Sequence, residues 1–193
     1  MRSYLLHLAA ELEAVRSHPG DPLPWRRREL RRLGVKFGRE LFVGPNLRTM
    51  KPGGISLGER VALGINTQLV NHAPISIDDD FLSAGNLIID SGTHDPVTLI
   101  PILKPVTIGR RVWCGTNVTI IAGVTVGDDV VIAAGSLVRE NVPSNSIVAG
   151  VPARVIRPLD RSGVTEIWTW AMGGRLQISG SLGLPESLPL DQR

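Results

Sequence analysis

The stretch VTIGRRVWCGTNVTIIAGVTVGDDVVIAAGSLVRENV, residues 106–142, decides the fold because it repeats every six residues. Counted from Ile108, each block of six opens on an apolar residue, and the fifth position is valine in every block but one. A helix repeats its apolar positions every three or four residues, so a helix does not produce this pattern. Short β-branched strands that alternate with small residues instead predict a tightly wound β-solenoid, in which each strand stacks on its own copy one coil away.

The same rhythm occurs earlier in the chain, over residues 57–74 and, after a slip of two residues, over 77–94. If three blocks make one triangular coil, each of these segments is one coil and 108–143 forms two more. Between them lies the segment 95–105, which holds three prolines that cannot join a central ladder. We therefore predict a solenoid domain over 55–158 that is interrupted by an excursion loop at 95–105.

The flanking segments differ in composition from the solenoid. Residues 1–54 are predicted to form short helices and a cap, with one amphipathic helix at 3–16 and a second at 25–33 that carries five arginines. That second helix has two interpretations, a basic patch for phosphate and a solvated face over Leu30 and Leu33, and runs of charge on single helices favour the solvated face. Residues 159–193 form a C-terminal extension, with a possible helix at about 164–172.

Composition limits the class of protein further. The 193 residues are 42% hydrophobic but only 4% aromatic, so the core must be built from Val, Ile, Leu and Ala. A single cysteine excludes an intrachain disulfide, and no paired Cys/His metal motif is present, so we expect a reduced, cytoplasmic setting and no metal. No segment approaches the roughly 20 apolar residues of a membrane span. The net charge of +3 permits an acidic partner but does not require nucleic acid.

Three motifs together resemble a known family. The hexads, the segment DSGTHDP at 90–96 and the segment AGVPARVI at 149–156 are similar to the hexapeptide-repeat acyltransferase superfamily, in its galactoside and maltose O-acetyltransferase branch. The resemblance covers residues 55–158. It implies an all-β fold, a left-handed parallel β-helix, and a homotrimer with active sites between subunits. It also implies acetyl-CoA as the donor of the acetyl group.

His94 is the candidate catalytic residue. An alcohol is a poor nucleophile at neutral pH, so acetyl transfer to a hydroxyl needs a base that takes the proton during attack, and histidine titrates in the right range. His94 stands at the end of a hexad, before Asp95 and Pro96, which makes it an unlikely core residue. The oxyanion of the tetrahedral intermediate needs a hydrogen-bond donor, and the resemblance assigns that role to the backbone N–H of Thr116.

The resemblance also implies positions along which the donor lies. In the family the pantetheine arm of CoA lies along stacked coil corners that carry small or flat residues. The residues of this chain at those positions are Trp113, Gly115, Ala134 and Gly135. Glycine and alanine at those positions also serve the turns of a solenoid, so both interpretations stay open. Arg154 and Arg157 match basic residues that face the phosphates of CoA, and arginine suits phosphate by its fork of donors. We expect one of the two to bind phosphate and the other to form a surface ion pair.

For the acceptor, Asn66, Asn71 and His72 lie about one coil before His94. The sugar branch tends to carry an acidic pair where Asn71 and His72 stand, and this departure puts a simple galactoside or maltose acceptor in doubt. The predicted acceptor is therefore a hydroxyl of a sugar or glycan precursor, or alternatively a non-sugar small molecule such as an antibiotic.

Other nucleophiles and other classes of function are alternatives to direct acetyl transfer by a histidine base. Cys114 takes an inward apolar position, and Ser91 has no nucleophile-elbow context, so direct transfer is preferred to an acetyl-enzyme. A metalloenzyme of the γ-carbonic-anhydrase kind needs three histidines, and only His72 and His94 lie in the coils. A scaffold without catalytic activity is the third alternative.

Overall fold

The computed structural model describes residues 24–162, 164, 166–169 and 174–177, and most of them form a three-sided parallel solenoid. Its three faces are named A, B and C here. Face A is the sheet of β1 (Lys36–Phe37), β4 (Ile55–Leu57), β7 (Ile75–Ile77), β12 (Val106–Ile108) and β15 (Thr125–Val126). Face C is the sheet of β3 (Arg48–Thr49), β6 (Gln68–Val70), β9 (Ile88–Asp90), β14 (Thr119–Ile120) and β17 (Leu137–Val138).

Face B is longer because the chain folds back on it at the end. Its parallel strands are β2 (Leu41–Val43), β5 (Val61–Leu63), β8 (Leu82–Ser83), β13 (Trp113–Cys114), β16 (Val130–Ile132) and β18 (Ser146–Gly150), and β19 (Ala153–Pro158) pairs antiparallel to β18. One helix, α1 (Pro24–Arg32), precedes the first coil. Two antiparallel hairpins leave the solenoid: β10 (Gly92–His94) with β11 (Pro101–Leu103), and β20 (Glu166–Thr169) with β21 (Gly174–Gln177).

The hexad pattern corresponds to the inside of the solenoid, as predicted. The block-opening residues and the fifth-position residues are all buried: Ile108, Cys114, Ile120, Val126, Ile132, Val138, Val112, Val118, Val124, Val130, Ser136 and Val142. The one polar residue in this set is satisfied locally, because the Ser136 hydroxyl donates to the Ala133 carbonyl at 2.6 Å. The core therefore consists of aliphatic side chains that stack on their own copies from coil to coil.

The edge between faces B and C, called the BC edge, turns through a column of asparagines in the left-handed region. Asn46, Asn66, Asn86 and Asn117 have φ of 57–62°, which asparagine tolerates better than most residues. Their amides form a ladder, each Nδ2 donating to the next Oδ1 at 2.9–3.0 Å. In the next coil Gly135, with φ of 72°, takes this position, so the ladder ends there.

The edge between faces A and B, the AB edge, is stabilised by ion pairs instead. Arg111 holds Asp129 through two hydrogen bonds of 2.7 and 2.5 Å, and Arg161 adds a third at 3.0 Å. These contacts, the hydrogen bond from Arg111 first, lower the pKa of Asp129. Arg161 also donates to the Arg111 carbonyl at 3.0 Å, so the start of the C-terminal extension is fixed to the solenoid wall.

The solenoid begins earlier than the sequence pattern predicted. The segment 34–54, predicted as an irregular cap, already contains β1, β2 and β3, which pair in register with the following coil. The early coils are longer than three hexads, since Leu57 pairs with Ile77 twenty residues on, whereas Thr107 pairs with Thr125 eighteen residues on. The two extra residues lie at the edge between faces C and A, the CA edge, and they obscure a six-residue count.

Two further differences concern the helices and the tail. The predicted second helix is confirmed as α1. The predicted helix at about 164–172 is wrong over 166–169, where the backbone forms β20 and pairs with β21. The predicted helix at 3–16 lies outside the described residues. Among the helices that the structure describes, none combines the length and apolar character needed for a membrane span.

Candidate active site

His94 lies on a hairpin that leaves the CA edge. The predicted excursion loop at 95–105 is instead a hairpin that begins at Gly92, and His94 is the last residue of its first arm, opposite Pro101. Pro101 is tolerated because it is the first residue of a strand in a separate two-stranded sheet. The His94 side chain is exposed. The structure thus presents the imidazole outside the core, as a general base requires.

Asp95 fixes the turn that follows His94, and the sequence analysis did not identify this role. One Asp95 carboxylate oxygen accepts hydrogen bonds from the Thr98 N–H at 2.8 Å, the Thr98 hydroxyl at 2.9 Å and the Val97 N–H at 3.0 Å. These bonds, that of the Thr98 backbone first, lower the pKa of Asp95. An Asp followed by Pro and, two positions later, Thr is the sequence signal for such a turn.

His72 lies at the base of the same hairpin. Its ring packs against Gly92 so closely that a Cβ on Gly92 would stand 2.5 Å from the His72 Cδ2. The Lys51 ammonium donates to the His72 carbonyl at 2.7 Å. The structure therefore brings the two histidines of the coils to one edge, with Gly92 between them.

Asn71, which precedes His72, is buried and serves the backbone. Its Oδ1 accepts from the N–H groups of Met50 and Lys51, and its Nδ2 donates to the carbonyls of Lys51 and Gly53 at 2.9 and 2.6 Å. All four hydrogen-bonding positions of the amide are thus in use. Asn71 holds the loop of the first coil, and we omit it from the acceptor-binding set proposed below.

Thr116 lies on the BC edge. Hydrogen bonds on either side fix its peptide, while its N–H can donate to a ligand. Its carbonyl accepts from the Gly135 N–H at 2.8 Å, and the neighbouring Asn117 N–H donates to Gly85 at 3.1 Å. The Thr116 N–H itself donates to no acceptor among the described residues, and the residue is exposed. A fixed, unpaired N–H at the surface is the kind of donor an oxyanion site requires.

The residues predicted for the donor lie on or beside face B. Trp113 is 47% exposed and begins a row of register partners that continues through Val131 and Ile147 to Arg157. Three strand steps of about 4.8 Å place the two ends of this row about 14 Å apart along the solenoid axis. An indole at one end and a guanidinium at the other suit an elongated ligand that ends in phosphate.

Gly115, Ala134 and Gly135 differ in their surroundings. Gly115 is buried, and a Cβ there would lie 2.6 Å from the Ala134 nitrogen, so the glycine is explained by the stacking of coils. Ala134 and Gly135 are exposed, and a Cβ on Gly135 would meet no atom within 4 Å. The end of the asparagine ladder therefore leaves open backbone beside Thr116.

Arg154 and Arg157 also differ. Arg154 forms an ion pair with Glu140 at 3.0 Å, while Arg157 pairs with no carboxylate in the described part of the chain. Asn66, predicted to contact the acceptor, takes part in the asparagine ladder on the BC edge and not in the His72 and His94 cluster.

Cys114 and Ser91 are both unsuited to covalent catalysis. Cys114 is fully buried, which raises the pKa of its thiol. Ser91 is also buried, and its hydroxyl lies 2.8 Å from both the N–H and the carbonyl of Ala73. No three His, Cys, Asp or Glu side chains within the described residues cluster as a metal site would require.

His94 and Thr116 do not meet within one chain. His94 leaves the CA edge and Thr116 lies on the BC edge, so the width of face C separates them. A site that contains both must therefore combine two copies of the chain.

Similarity to known proteins identifies the family. The model of the bacterial transferase hexapeptide (six repeats) matches residues 105–140. The galactoside O-acetyltransferase of Escherichia coli K12 is 34% identical over 75% of this chain and 73% of its own. A galactoside acetyltransferase in complex with coenzyme A superposes with a TM-score of 0.68 at 30% identity, over 82% of this chain and 81% of that one. A maltose O-acetyltransferase from Clostridium difficile gives 0.68 at 29% identity, over 81% and 86% of the two chains.

These similarities agree with the parallel solenoid and with the DSGTHDP and AGVPARVI motifs. The chain belongs to the hexapeptide-repeat acyltransferase superfamily, in its galactoside and maltose O-acetyltransferase branch, and has the left-handed β-helix fold of that superfamily.

Proposed function

We propose that this enzyme transfers an acetyl group from acetyl-CoA to a hydroxyl of a sugar or glycan precursor, with His94 as general base. The observation that carries this proposal is the pairing of an exposed His94 on one edge with an unpaired Thr116 N–H on another. Each is one half of an acyl-transfer site, a base and an oxyanion donor. Membership in the family favours this function over the metalloenzyme and scaffold alternatives.

In the proposed function a homotrimer brings the base of one subunit to the oxyanion donor of the next. The outward row of face B is apolar around Trp113, with Leu82, Val131 and Ile147 as its neighbours. The hairpin that carries His94 exposes apolar side chains as well, with Val97 88% and Leu99 71% exposed. We propose that the hairpin of one copy covers face B of the next, which brings His94 of one subunit to Thr116 of its neighbour. Threefold symmetry repeats this contact three times.

The chemistry at such a site needs only proton transfer and charge stabilisation. His94 accepts the proton of the acceptor hydroxyl as its oxygen attacks the thioester carbonyl. The Thr116 N–H stabilises the negative charge on the carbonyl oxygen. When the carbon–sulfur bond breaks, the imidazolium returns the proton to the leaving thiolate, so the histidine ends the cycle as it began.

The donor is proposed to lie on the BC-edge side of the row from Trp113 to Arg157, along the margin of the surface that the neighbouring hairpin covers. Trp113, Ala134 and Gly135 offer exposed surface beside Thr116, and Arg157 lies where the phosphates of CoA would end. Arg154 forms an ion pair with Glu140, so we propose that it is the arginine that does not bind phosphate.

Arg157→Ala is expected to raise the KM for acetyl-CoA about tenfold with little change in kcat, because it removes binding shared by ground and transition states. Arg154→Ala is the matched control, three residues away on the same strand β19, and we expect its KM to change less than twofold, roughly the scale of an exposed ion pair. Steady-state kinetics with varied acetyl-CoA measure both. A larger effect of Arg154→Ala would reverse the assignment.

The acceptor is proposed to be a sugar hydroxyl because the relatives named above act on galactoside and maltose. His72 lies beside the His94 hairpin and is the residue we propose for contact with the acceptor. Asn66 lies on the BC edge, which faces the neighbouring CA edge in the proposed trimer, so its predicted contact with the acceptor would be made across subunits.

A panel of acceptors tests this function directly. Purified enzyme is incubated with acetyl-CoA and free sugars, nucleotide sugars, glycan fragments and hydroxylated antibiotics, and thiol release is followed. We expect turnover with one or more carbohydrates above the hydrolysis of acetyl-CoA alone. Turnover confined to antibiotics or other non-sugar alcohols would contradict the proposed acceptor class while leaving the acetyltransferase intact.

A further inference from the structure

Positive charge is concentrated at the N-terminal end of the solenoid. Residues 24–51 hold nine of the 21 lysines and arginines of the chain but only two acidic residues, so this segment carries +7. The whole chain carries only +3, and the rest of it is therefore net negative. In the structure these residues form α1 and the first coil, which stack as one end of the prism.

Helix α1 closes this end with its apolar side inward. Leu30 is buried in the core cluster and is only 5% exposed. The guanidinium groups of Arg31 and Arg27 lie 5.2 and 5.9 Å from the centre of the Phe37 ring, which they cover. Arg28 and Arg32, one helical turn apart, are exposed. The helix therefore presents basic groups on the side that does not contact the core.

Within the described part of the chain, acidic side chains leave most of this surface unneutralised. Arg28, Arg32, Lys36 and Arg48 form no ion pair with any carboxylate among the described residues. Arg39 lies 3.8 Å from Glu59, but its side chain is 93% exposed, so that pair is heavily screened by water. In later coils of the AB edge, by contrast, arginines such as Arg60 and Arg111 are held by aspartates.

The basic residues are spread over a whole end and do not line a groove. They come from α1, from face A through Lys36, from the AB edge through Arg39 and from face C through Arg48. Among the described side chains of this end, Met50, beside Lys51, is a large apolar one that is 57% exposed. Of the aromatic rings described at this end, Phe37 is covered by arginines and Phe42 is half-buried on face B, so neither is a fully open surface for base stacking. Broad basic charge with one apolar contact fits a flat, anionic, partly apolar surface.

We propose that the N-terminal end of this enzyme docks on membranes that contain anionic lipids. Each lysine or arginine near such a surface adds to the attraction, so several act together to give useful affinity. In the proposed trimer, cyclic symmetry places all three basic ends on the same side, which multiplies the contact. The edges that carry His94 and Thr116 run along the side of the prism and stay open to an acceptor.

Vesicle co-sedimentation of the full-length protein tests this proposal. Vesicles of phosphatidylcholine alone are compared with vesicles that contain about one third phosphatidylglycerol, a lipid of single negative charge. We expect binding only to the anionic vesicles. Raising the salt from about 0.1 M to about 1 M should abolish it, since the Debye length falls from about 10 Å to about 3 Å.

Charge reversal locates the surface. Arg28→Glu with Arg32→Glu is expected to weaken binding to anionic vesicles at least about tenfold, since two attractive charges become repulsive. Arg110→Glu with Arg139→Glu makes the same change in net charge on later coils and should leave binding within about twofold. Arg28→Gln with Arg32→Gln, a milder change, should give an intermediate loss. Size-exclusion elution identical to wild type confirms that each variant is folded.

Several outcomes would overturn the proposal. Equal binding to neutral and anionic vesicles would show that lipid charge does not drive the binding. Equal loss of binding in the two charge-reversed variants would show that α1 is not the docking surface. A short DNA duplex and unlabelled anionic vesicles can each be added as competitors. If the duplex displaces the protein at a lower phosphate concentration than the competing vesicles do, the basic end is a nucleic-acid surface. Displacement by acetyl-CoA near its KM would make it a donor site.

Discussion

His94→Ala is expected to lower kcat for acetyl transfer at least about a hundredfold, because loss of a positioned general base typically costs 10²–10⁴ in rate. The exposed position of His94 on the β10–β11 hairpin means that the substitution removes no core contact. The oligomeric state and the thermal stability of the protein should therefore be unchanged. Initial rates of thiol release, compared with size-exclusion elution of the same preparation, measure both properties.

Thr93→Ala is the matched control for that variant. Thr93 is the preceding residue of the same strand, pairs with Ile102 and is also exposed. Adjacent residues of a strand point to opposite sides, so Thr93 does not share the surface of His94. We expect near wild-type turnover in Thr93→Ala. Near-normal turnover in His94→Ala would show that another group takes the proton, and comparable losses in both variants would show that the hairpin acts by its shape alone.

Thr116→Pro is expected to lower kcat about a hundredfold or more, the cost of removing one oxyanion donor. Proline lacks the N–H that the proposal requires, and its ring also fixes φ and restricts the preceding residue, Gly115. The corner itself accepts proline, because Pro45 occupies the same position three coils earlier, between Gly44 and Asn46. The hydrogen bonds that align these corners run from Asn66 N–H to the Pro45 carbonyl and from Gly135 N–H to the Thr116 carbonyl.

Thr116→Ala keeps the N–H and removes the side chain, so it should retain nearly full activity. This pair of variants separates a backbone role from a side-chain role at one residue. Equal activity in Thr116→Pro and Thr116→Ala would exclude the Thr116 N–H as the oxyanion donor. Circular dichroism and the melting temperature of Thr116→Pro check that the corner is intact.

The regular part of the fold was predictable because the solenoid core uses one side-chain class at a fixed interval. Ile120 and Val124 are both inward, as their hexad positions predicted, and each stacks on an equivalent residue. The first coil was not recognised, since its strands hold Lys36 and Arg48 and its repeat is twenty residues long. Periodicity reports the spacing of buried side chains and is lost where an edge takes extra residues.

The candidate site was predictable only residue by residue. The resemblance pointed to His94, and the structure adds that the residue stands on a hairpin fixed by Asp95. Asn71 shows the opposite case, because a polar residue near a predicted site proved to be buried and fully bonded to backbone. Sequence could not reveal this, since the loop that Asn71 holds is twenty residues distant and belongs to another coil.

The sequence also did not predict that His94 and Thr116 lie on different edges of the solenoid. Both lie within one stretch of 23 residues, 94–116, which suggests proximity. The hairpin and the turn through faces A and B place them on the CA and BC edges instead. The account therefore depends on a site assembled between subunits.

Cross-complementation of His94→Ala and Thr116→Pro tests most directly whether the active site is assembled between subunits. Each homotrimer alone is expected to be nearly inactive, but coexpression in equal amounts should assemble mixed trimers. In every mixed trimer one interface joins an intact His94 to an intact Thr116. Random assembly of threefold rings then predicts recovery of about a quarter of wild-type activity. If coexpressed trimers are no more active than the two parents, the site lies within one chain and the account is wrong.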